Sequence, residues 1–444
     1  MEFEEDLKQK TCTADDAASL VKSGDVIDYG FGLTQSDAFD AALAAQRERL
    51  NNITIRGTLS VSAKHVIELD PDQQHFEYHN WHCSGYDRKK CESGQMSYMP
   101  FNFGEGPGIY RSHLHADVLV LKTSPMDENG HFNFGISNTF AKANCEVAKK
   151  IVIETSTAIP ICLGSDNAVH ISDVTAVIEG NNAPLFELPS GDITDIDRQV
   201  AAYVLPLIKD RSCVQIGIGG MPNAVCAALT SSDIKDLGIH TEMFVDSMVA
   251  LIDAGKVTGK YKQTYPEQIT YTFALGSKKM YDFLDNNDTC VSIPVDVTNL
   301  PDNISANDRV VSINNCLQVD LSGQVASESS GYRHISGTGG QLQFVRGAVA
   351  SKEGQSFMCL SSRFCDKNGK GISRIVPGLS PGTVVTTPRT DVMYVVTEYG
   401  IVNLKGKSVT ERALALISIA HPDDREELHK QACENGILTK KYWS

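Results

Sequence analysis

Apolar positions fall in short runs punctuated by glycine, proline and asparagine, and the spacing inside the runs switches between the periods of strands and of helices. Thr13 precedes a helical stretch with Asp16 three residues on, a capping arrangement, and Gly24 closes it, which predicts a helix over about residues 14–23. Residues 25–29 then read as a strand, Gly30-Phe31-Gly32 as a loop, 36–50 as a helix and 53–56 as a second strand, a β-α-β unit. Further β-branched runs at 118–121, 151–154 and 174–178, with a helix expected at 137–148, predict a largely parallel sheet covered on both faces.

Between Gly180 and Asp192 the periodicity stops and turn formers take over, so a domain boundary is expected near 190, giving an N-terminal domain of 1–190 and a C-terminal domain of 191–444. Beyond it the pattern predicts a helix at 193–209, a strand at 213–216, a loop at Gly217, Ile218, Gly219 and Gly220, a helix over 222–229 with Pro222 in its first turn, and a strand at 239–244. This order mirrors the first unit, with Gly30 and Gly32 answering Gly217 and Gly219 at one common offset. The fold class expected is therefore α/β, two related, open, mostly parallel domains. Any Gly-x-Gly turn between a strand and a helix has the same look, so the repeat alone does not establish it.

The chain of 444 residues is 41% hydrophobic and 21% charged, ordinary values for a packed globular protein. With 40 Lys and Arg against 55 Asp and Glu the net charge is −15, which lacks the basic footprint of a nucleic-acid or anionic-membrane binder. No apolar run approaches the roughly 20 residues needed to cross a bilayer. The N-terminus, Met1-Glu-Phe-Glu-Glu-Asp6, lacks the basic and apolar regions of a secretory signal, so a cytoplasmic protein is expected. Twelve cysteines are dispersed without a Cys-x-x-Cys pair, which favours reduced thiols over a disulfide framework.

Three segments carry candidate chemistry. Gly217-Ile-Gly-Gly-Met221 follows a strand and opens a helix, where backbone N–H groups are free to meet an anion. Pro222 stands where a dinucleotide fingerprint needs its third glycine, so nicotinamide binding is poorly supported, and a ligand-free tight turn fits the same residues. In His240-Thr-Glu-Met-Phe244, strand alternation places His240, Glu242 and Phe244 on one face, with Asp246 following if the strand continues. A carboxylate there is paired, solvated at the strand end, or functional. Ser336-Gly-Thr-Gly-Gly340-Gln341 lets the backbone approach a ligand and offer N–H groups to an oxyanion, although a simple turn again fits. His75, His79 and His82 beside Cys83 make neither a closed Cys/His framework nor a zincin motif, so no metal is expected.

Together these segments resemble the acetyl-CoA hydrolase/transferase family, and within it the butyryl-CoA:acetate and 4-hydroxybutyrate CoA-transferases. The resemblance covers nearly the whole chain and is carried by Gly217-Ile-Gly-Gly-Met-Pro-Asn-Ala-Val225, Leu237-Gly-Ile-His-Thr-Glu-Met243, Asn315-Cys-Leu-Gln-Val-Asp320, Gly337-Thr-Gly-Gly-Gln341 and Val396-Thr-Glu-Tyr-Gly-Ile401 with Ile419-Ala-His-Pro-Asp423. It implies a NagB/RpiA-like CoA-transferase fold with the active site at the interface of its two domains. It also implies a ping-pong reaction through Glu242 as nucleophile, with a glutamyl-CoA thioester as intermediate. CoA-side contacts are implied at Gly217, Ile218, Gly219, Gly220 and Met221, with Leu317 and Gly340 near the thioester. Acyl-CoA and a short-chain carboxylate are the implied substrates, with no cofactor beyond coenzyme A itself, and the assembly is implied to be a homo-oligomer.

Three positions depart from the pattern of many relatives: Ser247 where glycine follows the motif's Asp, Gln343 where an Asp precedes the Phe, and Glu154-Thr-Ser156 in place of Glu-x-Asn. They leave the nucleophile intact and bear on which acid is taken. Two other functions stay open on the same residues. Water reaching the glutamyl thioester would make a hydrolase, and a non-catalytic CoA-binding protein could share the scaffold.

Overall fold

The protein is described by a computed structural model over residues 3–189 and 191–443. Met1 and Glu2 of the acidic N-terminus, and Ser190 at the expected boundary, lie outside the described residues. By packing, the chain divides into two compact units, one of Met1–Leu188, Glu242–Phe244 and Thr270–Thr298, the other of Pro189–Thr241, Val245–Ile269 and Asn299–Ser444. The single cut expected near 190 therefore describes only the first crossing. The glutamate segment assigned from sequence to the C-terminal domain packs with the first unit, because its strand finds a partner there.

The first unit is built on a seven-stranded sheet in the order Ser97–Tyr98, Phe76–Asn80, Ile53–Thr58, Val26–Phe31, Val118–Thr123, Ile151–Thr155, Ala176–Glu179, with every pair parallel. Strands covered on both faces need apolar residues on both, and Ile27, Ile55, Val118, Leu119, Val120, Val152 and Ile153 are all buried. Thr13 and Asp16 form the expected capping box, although the helix they start ends at Ala18. The strand order reverses between Val26–Phe31 and Val118–Thr123, which opens a crevice at their carboxyl ends. Asp28 lies fully buried beneath it, accepting hydrogen bonds from Tyr110 Oη at 2.7 Å and Asn144 Nδ2 at 3.3 Å and pairing with Arg56 Nε at 3.1 Å. Burial pushes this carboxyl up and the Arg56 guanidinium pulls it back down.

The second unit carries a six-stranded sheet in the order Gly238–Ile239, Cys213–Ile216, Val310–Asn315, Gln355–Cys359, Tyr394–Thr397, Gly400–Asn403, parallel except for the last pair. Its order reverses between Cys213–Ile216 and Val310–Asn315. The helices Gly220–Ser231 and Gln341–Ala350 and the pair Val409–Ser418 and Pro422–Glu434 belong to this unit.

Gly30 and Phe31, expected as loop, lie within the Val26–Phe31 strand, and a further expected element is corrected. The strand read at 239–244 is two short pieces: Gly238–Ile239 pairs with Cys213–Val214, and Met243–Phe244 pairs in parallel with Phe273–Ala274. Between them Glu242 sits at a bend, so the alternation that put His240, Glu242 and Phe244 on one face does not apply, and Asp246 starts a helix instead of extending a strand.

Candidate functional site

In the second unit the chain after Cys213–Ile216 turns through Gly217, Ile218 and Gly219 into the Gly220–Ser231 helix. Gly219 adopts φ 112, a left-handed conformation that glycine tolerates, and Asn315 Nδ2 donates to the Ile218 carbonyl at 3.2 Å. Gly217 N–H donates to Ile313 O at 3.2 Å, which anchors the loop to the neighbouring strand across the switch point. Ile218 is 46% exposed while Met221 is buried.

Beside this turn lies a cavity of about 470 Å³, bounded by Gly220, Met221, Asn315, Leu317, Ser327 and Arg374 among others. Gly220, Met221 and Leu317, singled out separately along the sequence, are thus brought together, and Gly217, Ile218 and Gly219 form the turn that leads into them. Gly340 is the residue before the Gln341–Ala350 helix, with φ −99, a conformation open to any residue. Its neighbour Gln341 ties it to the cavity wall: Nε2 donates to Asn315 O at 2.9 Å and Oε1 accepts from Ser327 Oγ at 2.7 Å. The first N–H groups of this helix have no acceptor inside it.

Sequence reading missed two residues here. Arg374 supplies a cation to the cavity, and its Nε is buried with no hydrogen-bond partner among the described residues. Glu328 is buried below the glycine loop; its carbonyl accepts from Ile335 N at 2.8 Å and Ser336 N at 3.2 Å, and its carboxylate accepts from Thr338 Oγ1 at 3.1 Å. A carboxylate flanked by serines gives no periodic signal. Gln343, the uncharged departure, is buried in the following helix.

Two thiols, Cys316 and Cys359, also line the cavity. Burial pushes Cys316 up to about 12 and raises Cys359 further, so both are protonated at neutral pH and poor nucleophiles.

Glu242 belongs to the first unit. Its carbonyl accepts from Thr272 N at 3.0 Å and Phe273 N at 3.2 Å, so the backbone at the bend is fixed from the strand it joins. Phe273, with Phe31, Leu33, Leu59, Val61 and Leu275, lines a narrow apolar pocket at the carboxyl end of Val26–Phe31. Glu154, on the Ile151–Thr155 strand, is buried, accepts from Ser36 Oγ and from Ala38 N at 3.0 Å, and lies 3.7 Å from Lys122 Nζ. The histidines near residue 80 do not converge: His75 Nδ1 meets Leu50 O at 2.8 Å and His79 Nε2 meets Glu77 at 2.9 Å. Among the described residues no group of three or more His, Cys, Asp or Glu is placed to hold a metal ion.

Two open, mostly parallel sheets, each with glycines at its switch point, define an α/β protein whose ligands are expected at strand carboxyl ends. The acetyl-CoA hydrolase/transferase N-terminal domain model matches residues 1–188 and the C-terminal domain model matches 276–432, and the chain belongs to this family. It is 46% identical over 435 residues, 97% of this chain and 98% of the relative, to the butyryl-CoA:acetate CoA-transferase of Anaerostipes caccae. It is 38% identical over 430 residues, 96% of this chain and 98% of the relative, to the 4-hydroxybutyrate coenzyme A transferase of Clostridium kluyveri. The crystal structure of RipA from Yersinia pestis superposes with a TM-score of 0.90 at 35% identity, covering 99% of this chain and 100% of that one. No helix among the described residues is long and apolar enough to cross a membrane.

Proposed function

We propose that the protein transfers coenzyme A between an acyl-CoA and a short-chain carboxylate, with Glu242 as the nucleophile. The observation that carries the reading is Glu242 itself, a carboxylate at a chain bend whose backbone is pinned by two N–H groups, next in sequence to a strand paired with pocket-lining Phe273. Ionised Glu242 attacks the thioester carbonyl, giving a mixed anhydride and CoA thiolate. The thiolate then attacks the glutamyl carbonyl, releasing the donor acid and leaving a glutamyl-CoA thioester. An acceptor acid reverses the two steps, and the activated acyl bond is kept throughout.

In this reading the cavity at Gly220, Met221 and Leu317 receives the CoA side, and Arg374 supplies charge there. The N–H groups after Gly340 receive the developing oxyanion. The apolar pocket at Phe31 and Phe273 has only about 10 Å³ of free space, room for about one water, so it bounds the site without selecting a chain length. The enzyme is cytoplasmic and homo-oligomeric on the same reading, and its sedimentation velocity should report more than one chain.

The test is trapping. Incubation with acyl-CoA and no acceptor, followed by borohydride, should inactivate the enzyme and place a reduced adduct on the peptide containing Glu242, with none in Glu242→Gln. A label on a cysteine would move the nucleophile. Release of CoA that does not rise when acetate, butyrate or 4-hydroxybutyrate is added would make the enzyme a hydrolase on the same residues. Binding of CoA without any adduct would make it non-catalytic.

A further inference from the structure

The second unit has a cavity that the family reading does not use. It measures about 340 Å³ and is lined by Arg211, Lys260, Tyr261, Lys262, Gln263, Asp308, Arg309, Lys352 and Glu353. Arg211 comes just before the Cys213–Ile216 strand, Asp308 and Arg309 just before Val310–Asn315, and Lys352 and Glu353 just before Gln355–Cys359. These three strands are parallel neighbours. The cavity therefore sits at their amino ends, while the Gly217–Gly220 turn and Leu317 follow their carboxyl ends. At roughly 3.3 Å per residue, strands of this length put the two places about 15 Å apart or more.

Five of the lining side chains are basic and two are acidic, in a chain whose net charge is −15. The acids are already engaged: Glu353 pairs with Arg309 Nε at 3.1 Å and Lys209 at 3.7 Å, and Asp308 with Lys352 at 3.4 Å. Lys262 is buried in the floor, donating to Ile239 O at 2.9 Å and Gln268 O at 2.6 Å. Arg211 and Lys260 have no carboxylate partner among the described residues, and the Arg211 guanidinium is held over the Tyr261 ring at 4.2 Å. Arg211, Arg309 and Glu353 all have positive φ, at 67, 54 and 58, so three lining residues sit in a backbone conformation uncommon for side chains of their kind.

We propose that this cavity binds an anion containing a pyrophosphate group. Clustered cations in a concavity of this size raise the local concentration of multiply charged anions, and a stacked guanidinium presents a planar fork of donors that matches phosphate oxygens. Each phosphoryl group of a pyrophosphate carries its own oxygens, so one can meet each of the two cations that lack a carboxylate partner among the described residues, Arg211 and Lys260. Inorganic pyrophosphate and a nucleoside diphosphate share the required chemistry.

Calorimetric titration of the full-length protein with sodium pyrophosphate, ADP and adenosine, at low and physiological salt, tests this. Pyrophosphate and ADP should each bind once per chain, more weakly as salt rises, while adenosine does not bind. ADP binding more tightly than pyrophosphate would mark a nucleotide as the source, and equal affinities the bare anion. Saturating CoA should leave binding intact, and Arg211→Glu/Lys260→Glu, folded by circular dichroism, should weaken it by at least ~10-fold. If that double variant does not fold, Arg211→Gln and Lys260→Ala should each weaken binding singly. No binding at low salt, displacement by CoA, adenosine binding as well as ADP, or affinity unchanged in the variants would overturn the proposal.

Discussion

Gly220 offers a test of how tightly the turn at the second switch point is built. A Cβ at Gly220 would stand 2.6 Å from Asp197 Oδ2 and 2.9 Å from the Asp192 carbonyl, both inside contact distance. Asp197 cannot simply swing away. Its Oδ2 accepts from Thr194 N at 2.9 Å and Thr194 Oγ1 at 2.7 Å, and Thr194 Oγ1 accepts from Asp197 N at 3.2 Å, a capping box on the Asp195–Val204 helix. Gly220→Ala must therefore break that cap, worth about 1 kcal/mol, or force a backbone shift of the overpacking kind, about 1–3 kcal/mol. Alanine's better helix propensity returns at most about 1 kcal/mol. A net loss near 2 kcal/mol is expected, which for a unit of this size lowers its melting temperature by about 4–8 °C. Calorimetry on Gly220→Ala, Asp197→Ala and the double variant closes the cycle. Once Asp197 is truncated the added methyl meets less, so the two losses should fall short of additive by about 1 kcal/mol. Since Gly220 also bounds the cavity, the KM for acyl-CoA should rise while kcat moves less. A Gly220→Ala protein that melts with the wild type, or losses that add fully, would refute the packing argument.

Burial lowers Lys262 to about 8, below the usual lysine value, so between that pH and about 10 the unfolded chain holds a proton that the folded one lacks. Stability gained from this group therefore rises with pH across that window, by up to about 3 kcal/mol, and the urea midpoint of the wild type relative to Lys262→Met should climb from pH 7 to pH 10. A flat difference would remove Lys262 from the accounting. Asp28→Asn leaves the buried Arg56 without its counter-charge and should cost about 3–5 kcal/mol by thermal unfolding, against about 0.5 kcal/mol for an ordinary surface change. Gly340→Val should cut turnover about 100-fold with CoA affinity kept if the following N–H groups hold the oxyanion; a destabilised but fully active protein would make Gly340 a turn residue only.

What the sequence disclosed and what it hid divide along a physical line. Signals that depend on neighbours a few residues apart were legible: the Thr13–Asp16 box, the strand at Cys213–Ile216, and the glycines that end the first strand of each sheet. Features set by a distant partner were not. Alternation at 239–244 is the same whether the chain stays in one ladder or changes ladders, and only the pairing of Met243–Phe244 with Phe273–Ala274, some thirty residues on, shows that it changes. The cut near 190 coincides with the first crossing between the units, at Leu188 and Pro189, while the later crossings at Glu242–Phe244 and Thr270–Thr298 rest on distant partners of the same kind. Arg374 and Glu328 each read as an ordinary charged residue until folding brings one to the cavity wall and the other beneath the glycine loop.

The two switch points differ in the surfaces they offer, and the proposed chemistry needs that difference. Around Val26–Phe31 the crevice is lined by Phe31, Leu33, Leu59, Phe273 and Leu275, with Ser137 its one hydroxyl. Such a lining gives water few partners, which a transferase needs if its activated glutamyl intermediate is to survive until an acid arrives. Around Cys213–Ile216 the cavity is larger and mixed, with Asn315, Ser327 and Arg374 beside Ile196, Met221, Leu317 and Leu360. A pantetheine arm is rich in amide groups and its nucleotide end in phosphate, so it would find donors and acceptors there that a short acid has no use for. The same topology thus places glycine at both switch points, and the side chains around them leave a nearly filled apolar pocket in one unit and a larger cavity of mixed lining in the other.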